Sequence, residues 1–508
     1  MDFCSRSSAM LNGNRRFGGV QDVRGTGKTD SVTEKDRLRR REETRMVSGK
    51  TAARLMIAAG GAAVFLGCGQ ISDGGEWQTL SETEISGKIT VWEHAITFEP
   101  AMENLIEGFE EKYPDTEVEW EIWEGESYYE LVSLAFQAGD GPDLFYTDGI
   151  ARPQMREYAK AGKLLDLSEL VDFRYFDESD LWREILDGRC YGVPWLTFDS
   201  RIVYYNADMF REYGWDIPET FTEFENLLEE IKQAGITPIS ITPHDSYSLL
   251  FLWEPILTAM YPEYASGLEE ESSDLLGEPA KAAMQKMLDW ADAGYFGEDW
   301  YDVASGGDQG LQFTSGEAAM NVCGTWDGVN IQANNPNLNM GVFILPSDGE
   351  NTGIMGSIAS GFSVNAYSDN MPAALAFADY CASLEGQTRW ISSHGGISAS
   401  DQIESATENS RIIAQQANGN LYTSWQLVLA SRSDEAVKVW EDGFVRLFAG
   451  EISIEELCAD LEEALETTRA ERKEREGFLQ YRRSYGFRGR LSIPGTAGSD
   501  QRVRGNCF

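Results

Sequence analysis

The chain has 508 residues, with 42 Lys and Arg against 84 Asp and Glu. Both ends are basic, net +6 over residues 1–67 and +5 over residues 477–508, so the stretch between them carries −53; such a surface repels nucleic acid, whose binding needs phosphates neutralised, and predicts a soluble monomer. Cys190, Cys323, Cys381 and Cys458 are widely spaced and His94, His244 and His394 stand 150 residues apart, which excludes a cysteine zinc site, argues against a disulfide scaffold and leaves no metal motif.

Residues 1–45 are polar and Arg-rich without helical or strand periodicity, and read as a segment upstream of the native start. Within them Gly25 to Thr29 has the ending of a phosphate-binding loop, but the motif's first glycine would fall on Asp22 and no apolar strand precedes it. Residues 46–67 read as a signal peptide: Lys50 and Arg54, then an apolar run through Leu55, Ile57, Val64 and Leu66, then Gly67. The run is about a dozen residues, too short for a membrane span. Cys68 at the expected cleavage point resembles a bacterial lipoprotein box, although Phe65 stands where that box favours Leu. The resemblance implies a lipid anchor on Cys68 at the outer face of the cell membrane; ordinary secretion is the alternative. Residues 68–86 are a flexible tether.

Order is expected from Lys88–Trp92, a strand, followed by a helix carrying Met102, Leu105, Ile106, Phe109 and Tyr113 and ended by Pro114. Val118, Trp120 and Ile122 alternate with glutamates as a second strand with one wet face. A helix through Leu131, Leu134 and Phe136 leads to a third strand, 143–146. Strand and helix alternating over connections this short predict a parallel α/β sheet. Downstream, 191–206 is strand-rich, 220–234 is a helix opened by a Thr220/Glu223 capping box, 340–345 and 362–364 are strands, and 372–384 and 454–465 are amphipathic helices. Residues 477–508 are a basic tail without periodicity.

Several local patterns occur in order. They are Gly141-Pro142-Asp143; Ala161 to Leu167; Tyr191-Gly192-Val193-Pro194 leading to Tyr204 through Phe210; Pro218 to Phe224; Phe313, Gly316, Ala318, Ala319 and Met320 with Gly324 and Trp326; and Gly450 with Ser453 and Glu455. Together they resemble the bacterial extracellular solute-binding proteins, the maltose-binding-protein-like receptors of sugar importers, over residues 86–476. The resemblance implies a class II two-lobe α/β fold, each lobe a mainly parallel sheet flanked by helices. Residues 87–197 and 360–396 would form one lobe, 198–359 and 397–476 the other. The chain would cross near Thr197–Ser200, Gly356–Gly361 and Gly395–Ser398, with the ligand between the lobes.

A sugar cleft needs aromatic rings for C–H faces and carboxylates or amides for hydroxyls. The chain has 14 Trp, more than core packing needs. The resemblance points to Trp326 as a stacking ring with Asp327 beside it, to Glu93 and His94 at the end of the first strand, and to Thr147 and Asp148 at the end of the third. Trp195 and Asp199 flank the first crossing, and His244, Asp245, Tyr247 and Trp253 are candidates in the second lobe. Each has a structural alternative, core packing for the tryptophans and satisfied turns for the polar residues; Asp143 reads as a turn residue, and Trp92 and Trp120 as core.

The implied function is non-catalytic capture of a carbohydrate, without cofactor or metal, and delivery to separate permease subunits of an ABC transporter. A secreted glycoside hydrolase shares the same raw materials, although its carboxylate pair is not implied by the resemblance. The same fold around a polyamine or other cationic solute is the third reading, favoured by the acidity.

Overall fold

The computed structural model describes residues 85–468, except 96–97, 124–126, 150–151, 179, 269–273 and 350–351. The signal-like run, Cys68, residues 1–45 and the basic tail lie outside the described residues. The strands are β1 Gly87–Glu93, β2 Thr116–Ile122, β3 Leu144–Tyr146, β4 Ile185–Leu186, β5 Arg189–Cys190, β6 Thr197–Asn206, β7 Thr237–Ser240, β8 Ala318–Gly324, β9 Met340–Phe343, β10 Ile354–Ile358, β11 Phe362–Val364, β12 Ile397–Ser398 and β13 Leu421–Thr423.

In the first lobe Ile89 and Val91 point into a closed core, and β1 pairs in parallel with β2 and β3. The late strand β11 returns antiparallel to β3, giving the order β11-β3-β1-β2. Asp143 fastens the start of β3: one carboxylate oxygen accepts from Thr90 N–H and Oγ1, at 2.7 and 3.0 Å, and the other from Ser368 Oγ. As the edge strand, β2 keeps the expected alternation only at its start, for Trp120 and Ile122 are half-buried. The helix Ser127–Ala138 is rotated from expectation: Tyr128, Tyr129, Val132 and Ala135 face the core while Leu134 is 56% exposed.

The second lobe is built on β6. Its outer half pairs antiparallel with β8 and β9, and β7 and β13 extend the sheet in parallel on either side. The helix Phe221–Gln233 begins as expected, with Thr220 Oγ1 accepting from Glu223 N–H at 3.1 Å. The Glu223 carboxylate accepts instead from Glu219 N–H, one residue further out. Tryptophan serves the cores more than the sequence count implied: Trp195, Trp253, Trp290, Trp390, Trp425 and Trp440 are all less than 2% exposed. The four cysteines among the described residues are free, and no described helix is long and apolar enough to cross a membrane.

The inner half of β6 lies between the two lobes. Ser200, Asp199 and Phe198 pair with Gly356, Ser357 and Ile358 of β10, while Phe198 and Thr197 pair with Ile397 and Ser398 of β12. The three segments expected to cross therefore run side by side, hydrogen-bonded through β6. Their glycines do different jobs. Gly395 sits at φ 77°, a left-handed helix end that side chains resist. At Gly356 and Gly361 the need is close approach, because a Cβ would run into the carbonyls of Asp199 and Val193.

Candidate functional site

A cavity of about 1300 Å³ lies between the lobes, walled by both and floored by the crossing strands. On the first lobe, β1 ends at Glu93, which is fully buried. Its Oε1 accepts the His94 backbone N–H at 2.7 Å and lies 2.7 Å from His94 Nδ1. A carboxylate only accepts, so Nδ1 carries the hydrogen. The imidazole then stacks on Tyr146, centroids 3.9 Å apart and 11° between planes. Asp148 follows at the strand's end. Its Oδ2 accepts from Tyr129 Oη at 2.5 Å and Arg152 Nε at 2.8 Å, and its Oδ1 from Tyr146 Oη at 3.1 Å. Burial opposes its charge, but Arg152, His94 and Arg183 together hold the carboxyl below the usual range. The Arg152 guanidinium lies over the Tyr129 ring.

On the floor Trp195 and Trp390 stack face to face, 4.0 Å apart with 4° between planes. Asp199 is 9% exposed, and its Oδ2 is 4.0 Å from Nε2 of the buried His394. Burial pushes the Asp199 carboxyl up to about 7, with Arg201 and Arg183 pulling back, and drives His394 down to about 3. Burial thus disfavours the charged form of both groups, and the contact is not an ordinary ion pair. Arg183 reaches the floor from the first lobe and donates to the carbonyls of Ile358 and Asp148, at 3.0 and 2.8 Å.

On the second lobe Arg201 stands two residues beyond Asp199 on β6, so both point to one face. Its Nε is 3.1 Å from Oε2 of the fully buried Glu254, whose Oε1 accepts from Ser424 Oγ and Trp425 N–H. Phe251 and Trp326 meet edge to face beside the guanidinium. Tyr247 donates to Glu441 Oε1 at 3.1 Å.

Of the residues singled out in the sequence, His94, Asp148, Trp195, Asp199, Tyr247 and Trp326 line the cavity together. Glu93 stands behind His94, and Thr147 is buried with its Oγ1 accepting from Gly149 N–H. Asp327 lies outside the lining, at the first turn of the helix Asp327–Asn334, where it accepts from Asn330 at 3.2 Å. Asp245 caps the helix Ser246–Met260, His244 reaches the Tyr301 carbonyl, and Trp253 is core, packed on Trp425 and Phe444. Sequence reasoning passed over Tyr146, Arg152, Arg183, Arg201, Phe251 and Trp390. For Arg201 a signal existed: two residues along a strand from a candidate is the same face.

Two α/β lobes joined by three neighbouring chain segments, with an aromatic and polar cleft between them, define a two-lobe receptor of the class II kind. The chain belongs to the bacterial extracellular solute-binding proteins, whose family profile matches residues 95–388. Among curated relatives, a multiple sugar-binding protein of Streptococcus mutans serotype c is 24% identical over 270 residues, 51% of this chain and 62% of that protein, so the chain spans less than two thirds of it. A diacetylchitobiose-binding protein of Streptomyces coelicolor is 29% identical over 153 residues, 29% of this chain and 35% of that one. In three dimensions the raffinose complex of the solute-binding protein RafE aligns with a TM-score of 0.62 at 21% identity, over 74% of this chain and 98% of that one. A chitin oligosaccharide binding protein aligns equally well, 0.62 at 21% identity over 75% and 99%.

Proposed function

We propose that the protein captures a carbohydrate, of oligosaccharide size, in the cleft between its lobes and delivers it to the permease of an ABC importer. The supporting observation is the lining itself: flat rings at His94–Tyr146 and Trp326, interleaved with Asp148, Asp199 and Arg201 in a space of about 1300 Å³. Rings take sugar C–H faces and the polar groups take hydroxyls. The three crossing segments act as the hinge, and ligand shifts the population toward closure by contacts made only when both walls meet it. Cys68 carries the lipid that keeps the receptor at the membrane. A Cys68→Ser variant appearing in the membrane fraction as fully as wild type would remove that anchor.

The hydrolase reading draws on one contrast, Asp148 held ionised and Asp199 pushed up to about 7. Displaced carboxyl pairs of this kind do acid–base work elsewhere. Against it, both Asp148 oxygens are already spent on Tyr129, Tyr146 and Arg152. We therefore favour capture without chemistry.

The test is a thermal-shift and calorimetric panel of raffinose, maltose, chitin oligosaccharides, polyamines and amino acids. A ligand at a hundred times its Kd stabilises by about 2.7 kcal/mol. A sugar that binds and is recovered intact supports capture. One that is recovered cleaved supports the hydrolase, and a shift with polyamines alone overturns the sugar assignment.

A further inference from the structure

Arg201 is set up for a task that no contact within the protein uses. Its side chain is 10% exposed, yet it lines the cavity. The Nε edge faces Glu254 as an ion pair at 3.1 Å without an aligned hydrogen bond, and Glu254 is itself immobilised by Ser424 and the Trp425 backbone. Phe251 and Trp326 flank the guanidinium, its carbon 4.8 and 5.6 Å from their ring centres. The opposite residue on β8 is Gly324, where any Cβ would collide with the Trp326 indole, so the bare backbone is what lets that ring fold beside Arg201. Among the described residues Nη1 and Nη2 donate no hydrogen bond, and unlike Nε they are not among the closed-off polar atoms. A guanidinium held beside a buried carboxylate and between two rings, with its Nη edge open, presents a fork of parallel donors.

We propose that Arg201 is a specificity-determining residue that grips two adjacent ring oxygens, a vicinal hydroxyl pair, of the neutral sugar unit resting on Trp326, with Glu254 as its positioning residue. This rests on the carbohydrate reading above and adds which group is read. A neutral diol is favoured over a sugar carboxylate on two counts. Glu254 already balances the Arg201 charge, and on the outer cavity wall Glu157, Asp460 and Glu463 outnumber the cations, since Lys438 and Arg446 are paired with Glu435 and Asp442, so the wall disfavours an anion.

The test compares wild type, Arg201→Lys and the double variant Arg201→Met with Glu254→Gln by calorimetry. The probes are the tightest-binding sugar of the neutral panel, analogues of it lacking one ring hydroxyl, and a uronic acid counterpart. Lysine keeps the charge beside Glu254, and the double variant avoids a stranded carboxylate, so both are expected to fold. The expected result is a loss of about a hundredfold in affinity in both variants, because lysine supplies a charge but no fork. The wild type should also discriminate against one deoxy analogue, and both variants should lose that discrimination. Full rescue by lysine, or discrimination kept in the variants, would overturn the fork while leaving the sugar reading intact. Tighter binding of the uronic acid would overturn the neutral diol. A wild type that binds no sugar at all would sink the carbohydrate reading and this inference with it.

Discussion

Nη2 of Arg156 lies 2.8 Å from Oδ1 and 2.7 Å from Oδ2 of Asp434, joining the two lobes along the cavity wall. Arg156 belongs to the first-lobe helix Pro153–Lys160, and Asp434 opens the second-lobe helix Asp434–Phe448. The two side chains are 14% and 21% exposed, so the pair is better shielded than an ordinary surface bridge. An aspartate in a first helical turn also meets the positive end of the helix dipole.

The pair bridges the lobes as they stand in this structure, and it is expected to count toward closure. Arg156→Ala or Asp434→Asn is expected to remove about 1 kcal/mol from closure, roughly a fivefold weakening of ligand affinity carried by faster release. The double variant should cost no more than either single change. Stopped-flow release rates check this, and unchanged release in both single variants would show that the bridge does not stabilise closure.

Gly324 offers a way to move one wall without touching a polar group. In Gly324→Ala the new methyl meets the Trp326 ring, which must swing away from Arg201. Overpacking of this kind costs about 1–3 kcal/mol of stability. Ligand affinity should fall by at least about tenfold, because both ring and fork are displaced. Gly310→Ala is the control, a glycine inside the helix Gly306–Ser315 whose Cβ meets nothing within 4 Å. It should leave binding unchanged and stabilise slightly. Equal affinities in the two variants would argue that Trp326 is not in the binding wall.

What the sequence shows of this fold is what local pattern can carry. The β1 alternation of Ile89 and Val91, the Thr220 cap and the order of strands and helices are neighbour-to-neighbour properties, legible from spacing. The crossing segments come from the family resemblance rather than from local pattern, since Thr197–Ser200 holds no glycine, and nothing local shows that Gly356 and Gly361 are there for close approach to Asp199 and Val193. The site is harder because its partners come from far apart. Glu254 meets Arg201 across 53 positions, and Trp390 meets Trp195 across 195. Asp327 sits beside Trp326 in sequence, yet the helix beginning there turns it out of the cavity lining. Leu134 shows the limit of periodicity, since its helix buries a neighbouring stripe that reads equally well.

The stacked pair on the floor should carry stability as well as shape. Trp195 and Trp390 are each 1% exposed, and Trp390 also packs on Phe98 and His394. Trp390→Ala is expected to cost about 3–5 kcal/mol. Trp390→Phe keeps a ring in the stack and should cost much less. Denaturant midpoints at constant m-value check both, and a loss below about 1 kcal/mol for alanine would mean that the floor collapses around the gap.

Asp199 provides the sharpest pH signature. Its carboxyl is raised from an ordinary 3.8 to about 7, chiefly by burial, while Arg201 and Arg183 oppose the rise and the facing His394 is neutral above about 3. Between pH 4 and 7 the native state therefore holds a proton that the unfolded chain has released. Stability contributed by this group is present at low pH, is lost as pH rises through that window, and changes no further above about 7. Glu184, raised to about 7 by burial, slopes the same way. His394, lowered from 6.5 to about 3, slopes the other way, losing stability as pH falls below 6.5. Whole-protein melts thus blend opposing trends, and the difference between variants is the cleaner observable. Asp199→Asn cannot titrate, so its stability relative to wild type should climb from pH 4 to 7 and then level off; Glu184 cancels in the comparison, and making both proteins in a His394→Gln background removes the histidine that faces Asp199 at 4.0 Å. Denaturant titrations at half-unit pH steps measure that difference; a flat line across the window would mean that Asp199 is ionised in the folded protein throughout, and the floor of the cleft would then carry a full negative charge toward its ligand.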